Sequence, residues 1–252
     1  MGTLNPEAIR SMRAAGKLLA EVLGRLAAEA REGVSLEALD SIARSLIEAG
    51  GGSPAFLGYQ PDGARRPFPA TICASLNEVV VHGVPSARRL VGGDILKLDT
   101  GVRYRGYCAD AAITVGVGEI SKEAKQLIEA AHEALDAGIR AAGSRRRIGD
   151  IGAAIQEAVL RRGFRVVKGL TGHGIGRNLH EDPTIFNEGK RGTGLRLKPG
   201  MAFAIEPMVS MGSPHIVQLP DESYATADGS ISAHFEHTVL LTADGVEVLT
   251  VV

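Results

Sequence analysis

The chain has 252 residues, 44% hydrophobic and 23% charged, with 28 basic against 29 acidic side chains and a formal net charge of −1. That balance gives no electrostatic footing for nucleic acid or an anionic membrane surface, and no apolar run approaches the ~20 residues of a membrane span. Two cysteines and no tryptophan leave neither a disulfide framework nor a base-stacking platform, and the thiols are expected reduced, in a cytoplasm.

The first residues, MGTLNPEAIRSMRAAGK, hold no apolar signal segment. Asn5-Pro6 supplies a capping side chain followed by proline at the first helical position. Ile9, Met12, Leu19, Val22, Leu23 and Leu26 follow at helical spacing, predicting an amphipathic helix to about residue 30. Gly33-Val34-Ser35 opens a second, with its stripe at Leu36, Leu39, Ile42, Leu46 and Ile47 before three glycines. Residues 70–81, ATICASLNEVVV, read as an apolar strand ending at His82-Gly83-Val84-Pro85, where a histidine can point into a cleft.

Residues 94–114, DILKLDTGVRYRGYCADAAIT, read as a hairpin turning near Arg105-Gly106. A turn centred on Tyr104 and Arg105 sets Asp99 directly opposite Asp110, with Cβ atoms about 4.5–5.5 Å apart. Like charges that close repel unless a cation lies between them.

Ser121 caps a third helix to about residue 142, and residues 148–162 supply a fourth. Leu39, Ala43 and Ile47 match Ile151, Ile155 and Val159 at a constant offset of 112, which suggests two related halves without a linker between them. The second half carries TGHGIGRNLHEDP, whose glycines favour strand and loop over helix. It lacks the spacing of a phosphate cradle. Pro199-Gly200 turns into an apolar strand at residues 201–205 that ends on Glu206-Pro207. The last strand, ISAHFEHTVLL, places His234, Glu236 and Thr238 on one face and Phe235, His237 and Val239 on the other.

Asp99, Asp110, Glu206 and Glu236, with His173, thus sit on strands expected to be inside. No comparable set of basic residues on those strands can neutralise them. Two divalent cations would, and oxygen-rich ligation with one histidine suits Mn²⁺, Fe²⁺ or Co²⁺. Such a pair shares and activates a water.

The ordered set VVHGVP, KLDTG with an aspartate eleven residues on, GHGIGRNLHEDP, GMAFAIEP and SAHFEHT resembles the type I methionine aminopeptidases, over essentially the whole chain. The resemblance implies an α+β pita-bread fold, two pseudo-symmetric helix-and-strand halves around a central antiparallel sheet, forming a single catalytic domain over residues 1–252. It implies Asp99 on one metal, His173 and Glu206 on the other, and Asp110 and Glu236 bridging. His82 and His180 would act on the substrate, and Glu206 would also shuttle a proton. Phe56, Tyr59, Phe68, Cys73, His82 and His180 would surround the substrate. Backbone oxygens of Asn77, Val79 and Ser232 would hold one Na⁺ or K⁺. The implied activity is removal of the initiator methionine from peptides and nascent chains with a small second residue, at the ribosome, by a cytoplasmic monomer.

There are three departures from the family's pattern, of which the first two bear on the pocket's shape. Residues 61–66 are inserted between Tyr59 and Phe68-Pro69, a pocket tryptophan is missing near Glu222, and His234 stands where glutamine is frequent. The alternatives are an X-Pro aminopeptidase or dipeptidase of the same fold, which normally carries a large extra N-terminal domain, and a non-catalytic binding module, which typically loses ligands.

Overall fold

The computed structural model describes residues 3–61 and 63–251. Asp62, within the insertion, lies outside the described residues. Helices α1 (Pro6–Glu29) and α2 (Leu36–Ala49) precede strands β1 (Ser53–Pro54), β2 (Ile72–Leu76), β3 (Val79–Val81), β4 (Ile95–Tyr104) and β5 (Tyr107–Gly116). Helices α3 (Lys122–Ala141) and α4 (Ile148–Arg161) then lead to β6 (Arg165–Val166), β7 (Gly172–Gly174), β8 (Glu181–Ile185), β9 (Ala202–Ile205) and β10 (Met208–Ser210). The chain closes with β11 (Ile216–Gln218), β12 (Tyr224–Thr226), β13 (Ser232–His234), β14 (Glu236–Leu241) and β15 (Val246–Val248). The helix starts follow their caps: Asn5, Ser35 and Ser121 side chains accept from the backbone N–H three residues on, satisfying donors that have no partner inside the helix.

Nine strands form one sheet in the order β1-β4-β5-β14-β9-β7-β8, with β2 beside β4 and β15 beside β14. Their pairings are antiparallel. Each half builds its own core. In the first, α1 and α2 pack on β2, β4 and β5 through residues such as Leu19, Leu26, Leu39, Leu96 and Leu98. In the second, α3 and α4 pack on β9 and β14 through Leu127, Leu135, Ile151, Phe203 and Val239. The matched triplets Leu39, Ala43, Ile47 and Ile151, Ile155, Val159 are all fully buried in their respective cores, as the repeat predicts. The sheet joins the halves, with β14 inserted between β5 of the first half and β9 of the second.

Three local features differ from expectation. Arg105 and Gly106, with φ of 47° and 81°, form a two-residue turn that pairs Tyr104 with Tyr107. Both turn residues need positive φ, and this pair supplies it. The register therefore sets Asp99 opposite Ala112, and Asp110 opposite Gly101. The two carboxylates share a face as diagonal neighbours at roughly 7 Å or less, and are not directly opposed.

Residues 70–81 are two strands, because Asn77 adopts φ 50° and its Oδ1 accepts from Ile95 N while its Nδ2 donates to Asp94. Residues 231–241 also break, at Phe235: β13 pairs with β10, whereas β14 pairs with β5 and β9. The break lies opposite Glu206-Pro207, and proline has no N–H to continue the ladder.

Candidate metal centre

Register brings the acidic residues together. On one side of the break His237 pairs with Ile205, and on the other His234 pairs with Met208. Carrying that register into the gap puts Glu206 opposite Glu236. Glu236 pairs in turn with Ala112 on β5, and Ala112 with Asp99 on β4. A single row, Asp99–Ala112–Glu236–Glu206, therefore crosses four strands. Cross-strand neighbours in a row point to the same face. Asp110 joins from two residues along β5, and His173 from β7. Ala112 is the one small member, so its methyl leaves room between the flanking carboxylates.

Two hydroxyls fix the seam. Thr238 Oγ1 accepts from Asp110 N at 2.9 Å and donates to Asp110 O at 2.8 Å. Thr114 Oγ1 accepts from His234 N at 2.9 Å and donates to His234 O at 2.6 Å. Asn187 Nδ2 donates to Glu206 O at 3.0 Å, holding the break.

His173 Nδ1 donates to Gly174 O at 2.9 Å, which leaves Nε2 with a lone pair. That atom lies 3.7 Å from Asp110 Oδ2, 3.6 Å from Glu206 Oε1 and 4.0 Å from Glu236 Oε1. Burial pushes His173 down to about 4, so near neutral pH it carries no charge to offset the acids. Asp99 is pushed well up by burial and by Asp110. Burial raises Asp110 to about 7. Glu206 is raised by burial, Asp99 and Asp110, and Glu236 by burial, Asp110, Glu206 and Asp99. Asp99 Oδ1, Asp110 Oδ1 and Glu236 Oε1 are buried without a donor among the described residues.

Orphaned carboxylate oxygens facing an imidazole lone pair are costly unless cations occupy the space between. The donor set therefore fits divalent metal. Ligand atoms of Asp99, Asp110 and Glu236 lie within 4.8 Å of one another, as do those of His173, Glu206 and Glu236. Glu236 is common to both groups. His180 also comes within this distance of Asp110 and His173.

The five residues open on a cavity of about 920 Å³ that is also lined by Phe56, Tyr59, Phe68, Cys73, His82 and His180. Every side chain expected around a substrate is thus on its wall. Tyr59 Oη and His180 Nδ1 are 3.0 Å apart, and the His180 ring lies 4.2 Å from that of His173. His82, at the end of β3 with φ 62°, stands edge-on to Tyr224 at 5.9 Å. Burial and the nearby Asp99 push the Cys73 thiol far up, so it serves as an apolar wall. The inserted loop forms the rim. Its neck is closed by Phe68 N donating to Tyr59 O at 2.8 Å. Arg65 N donates to Glu222 Oε2 at 3.0 Å, and Arg66 Nε lies 3.6 Å from Glu222 Oε1.

Asn77, Val79 and Ser232 are not among the residues that line the cavity. Asn77 O already accepts from Lys97 Nζ at 2.7 Å, Ser232 N at 3.0 Å and Ser232 Oγ at 3.2 Å. Burial pushes Lys97 down to about 7, with Glu78 opposing. In either protonation state its Nζ donates to that carbonyl.

Sequence reasoning missed Lys97, Ala112, Thr114 and Asn187, and placed Thr238 on the face of Glu236 without a role. A signal existed for the first, since Lys97 shares strand parity with Asp99 inside an apolar run. The others are small or neutral residues with no mark before register is known.

Residues 10–243 match the model of metallopeptidase family M24. The chain is 44% identical over 249 residues to a methionine aminopeptidase of Clostridium perfringens, covering 98% of each chain. The crystal structure of methionine aminopeptidase from Rickettsia prowazekii superposes with a TM-score of 0.95 at 37% identity, covering 100% of both chains. Prolidase from Pyrococcus furiosus shares the fold, with a TM-score of 0.80 at 22% identity, covering 99% of this chain but 65% of that one.

Proposed function

The chain belongs to metallopeptidase family M24, and we propose on that footing that it is a metal-dependent methionyl aminopeptidase. Its substrates are then nascent chains and peptides with an N-terminal methionine and a small second residue. The observation that carries this reading is the buried row of carboxylates, with the His173 lone pair, on the wall of an aromatic-lined cavity. Support against an X-Pro enzyme comes from the full-length agreement with methionine aminopeptidases, where the prolidase likeness covers only part of a longer chain.

We assign Asp99 to one divalent cation and His173 with Glu206 to a second, with Asp110 and Glu236 serving both. Bound there, Mn²⁺, Fe²⁺ or Co²⁺ would lower the pKa of a water and polarise the scissile carbonyl. Glu206, at the break in its strand, takes the proton from the attacking water and returns it to the leaving amine. With Tyr59 donating to Nδ1, His180 keeps its proton on Nε2, where it donates to the carbonyl oxygen as charge builds there. His82, on the wall of the same cavity, also contacts the substrate. Phe56, Tyr59, Phe68 and Cys73 enclose the methionine side chain, whose thioether packs well against aromatic edges. Residues 1–252 act as one catalytic unit, a monomer in the cytoplasm that meets its substrates at the ribosome.

Turnover of Met-Ala-, Met-Lys- and Xaa-Pro- peptides with added Mn²⁺ or Co²⁺, before and after chelation, tests the reading. Met-Ala- peptides should be cleaved in a metal-dependent manner and the other two spared. Preferential Xaa-Pro cleavage, or full activity in protein shown to be free of metal, would overturn it.

A further inference from the structure

Lys97 is fully buried, with 1% of its surface exposed, on a strand where its buried neighbours of the same parity are Ile95, Asp99 and Gly101. Lysine is almost never buried so completely unless its amine has a fixed partner. The partner here is a backbone oxygen, Asn77 O, at 2.7 Å. That carbonyl points out of the strand path because Asn77 adopts positive φ, and the residue is pinned by its bonds to Ile95 and Asp94. Ser232 N and Oγ reach the same oxygen from β13. Lys97 Nζ and Ser232 N already engage both lone pairs of that oxygen, and the single Ser232 hydroxyl proton lies between it at 3.2 Å and Val79 O at 3.5 Å, so donors occupy the directions an alkali cation would take.

We infer that Lys97 is a tethered substitute for the monovalent cation that the family resemblance implies at Asn77, Val79 and Ser232, so this protein needs neither Na⁺ nor K⁺. An ion there would tie the turn between β2 and β3 to the start of β13. The lysine makes that tie from a third direction. Its Nζ braces β4 to Asn77 O, and Ser232 binds the same atom. The brace bears on the site at three places: Asp99 lies two residues from Lys97, Glu236 four from Ser232, and His82 five from Asn77. Because the substitute is covalently part of the chain, its occupancy does not depend on salt. The inference goes beyond the peptidase reading and stands or falls on stability and ion content, whatever peptide the protein cleaves.

The test compares thermal midpoints in KCl, NaCl and choline chloride at a matched ionic strength of about 0.1 M, with and without divalent metal. Wild-type protein should unfold at the same temperature in all three, and elemental analysis after dialysis into choline should find no retained Na⁺ or K⁺. Lys97→Ser opens the space and removes the donor. It should unfold earlier in choline and recover by roughly 2–4 °C or more in Na⁺ or K⁺, because an ion that binds only the folded state stabilises it. Lys97→Met fills the space without a donor and should lose stability with no recovery. A wild-type midpoint that rises in Na⁺ or K⁺ over choline, or a retained equivalent of either ion, would overturn the inference. So would a Lys97→Ser protein as stable as wild type in every salt. Should neither variant fold, the wild-type salt comparison and ion analysis still decide.

Discussion

Glu206 and Glu236 stand opposite one another where Pro207 interrupts the ladder, so the two strands carry acids face to face in the gap between the pairs His237–Ile205 and His234–Met208. Elsewhere such a pair would be destabilising. Here it sits beside Asp110 and His173 as a repelling group with no neutralising partner of its own.

Removing one member should therefore separate activity from folding. Asp110→Asn or Glu236→Gln is expected to lower kcat/KM at least ~100-fold, about 2.7 kcal/mol of transition-state stabilisation. The metal-free variants should unfold no earlier than metal-free wild type, since a mutual repulsion has been relieved. Steady-state kinetics and calorimetry check the two halves independently, and a variant that is both active and unstable would reverse the assignment.

Metal affinity should rise with pH. In the metal-free fold the cluster carboxyls are raised, Asp110 to about 7 and the other three well above their usual range. A cation must displace the protons they retain. His173, pushed down to about 4, is already neutral and adds nothing to the pH dependence above pH 6. The sign follows: protons held by the metal-free fold compete with the cation, and the competition weakens as pH rises, for Asp110 around pH 7. The rise in thermal midpoint on adding Mn²⁺ should grow between pH 6 and pH 8, with protons released on titration. A shift independent of pH would mean that the carboxyls are already ionised.

His180 lies within ligand distance of Asp110 and His173, so its role needs a direct test. His180→Ala should lower kcat and kcat/KM together, as for a contact made in the transition state, by roughly 10²–10³-fold. Metal stoichiometry should be unchanged. Loss of one equivalent of metal would make His180 a ligand.

Ala112 offers a test that touches no ionisable group. Its methyl lies in the row between Asp99 and Glu236. Ala112→Leu should push a side chain into that space, abolish metal uptake and cost about 1–3 kcal/mol through overpacking. Ala112→Ser should retain both metal and activity. Normal metal binding by the leucine variant would show that the space beside Ala112 is not used.

The rim loop is set by Glu222, which holds both Arg65 N and the Arg66 guanidinium. Glu222→Ala should free Arg66 and raise the kcat/KM ratio of Met-Ala-Glu over Met-Ala-Lys peptides. Deleting residues 61–66 should reduce that ratio and leave Met-Ala-Ser turnover nearly unchanged. If deletion instead destroys selectivity for methionine, the loop is part of the pocket wall.

Much of the site could be read from the chain because acids are rare on buried strands. Asp99, Asp110, Glu206 and Glu236 stood out against apolar neighbours, and the helical stripes of Leu39 and Ile151 gave the two halves. Pairing was harder. One residue of uncertainty at Arg105-Gly106 moved Asp99 from Asp110 to Ala112, because register depends on which two residues take positive φ. The break at Phe235 was hidden because strand-like spacing continues across it, whereas the polar pair Asn77-Glu78 was a visible interruption of the other run. Lys97 passed unremarked because the burial of one lysine depends on a carbonyl twenty residues away.

The insertion of β14 between β5 and β9 constrains how the chain can be made. Residues 236–241 close the middle of the sheet, yet they follow β5 by more than a hundred residues and β9 by about thirty. A growing chain that has not reached residue 241 holds two interior strands with open edges, each able to pair with a stranger. Pairing so distant in sequence forms slowly. Those open edges are where an incomplete chain is exposed to wrong pairing, and truncation before residue 236 should produce aggregates in preference to a weakened enzyme.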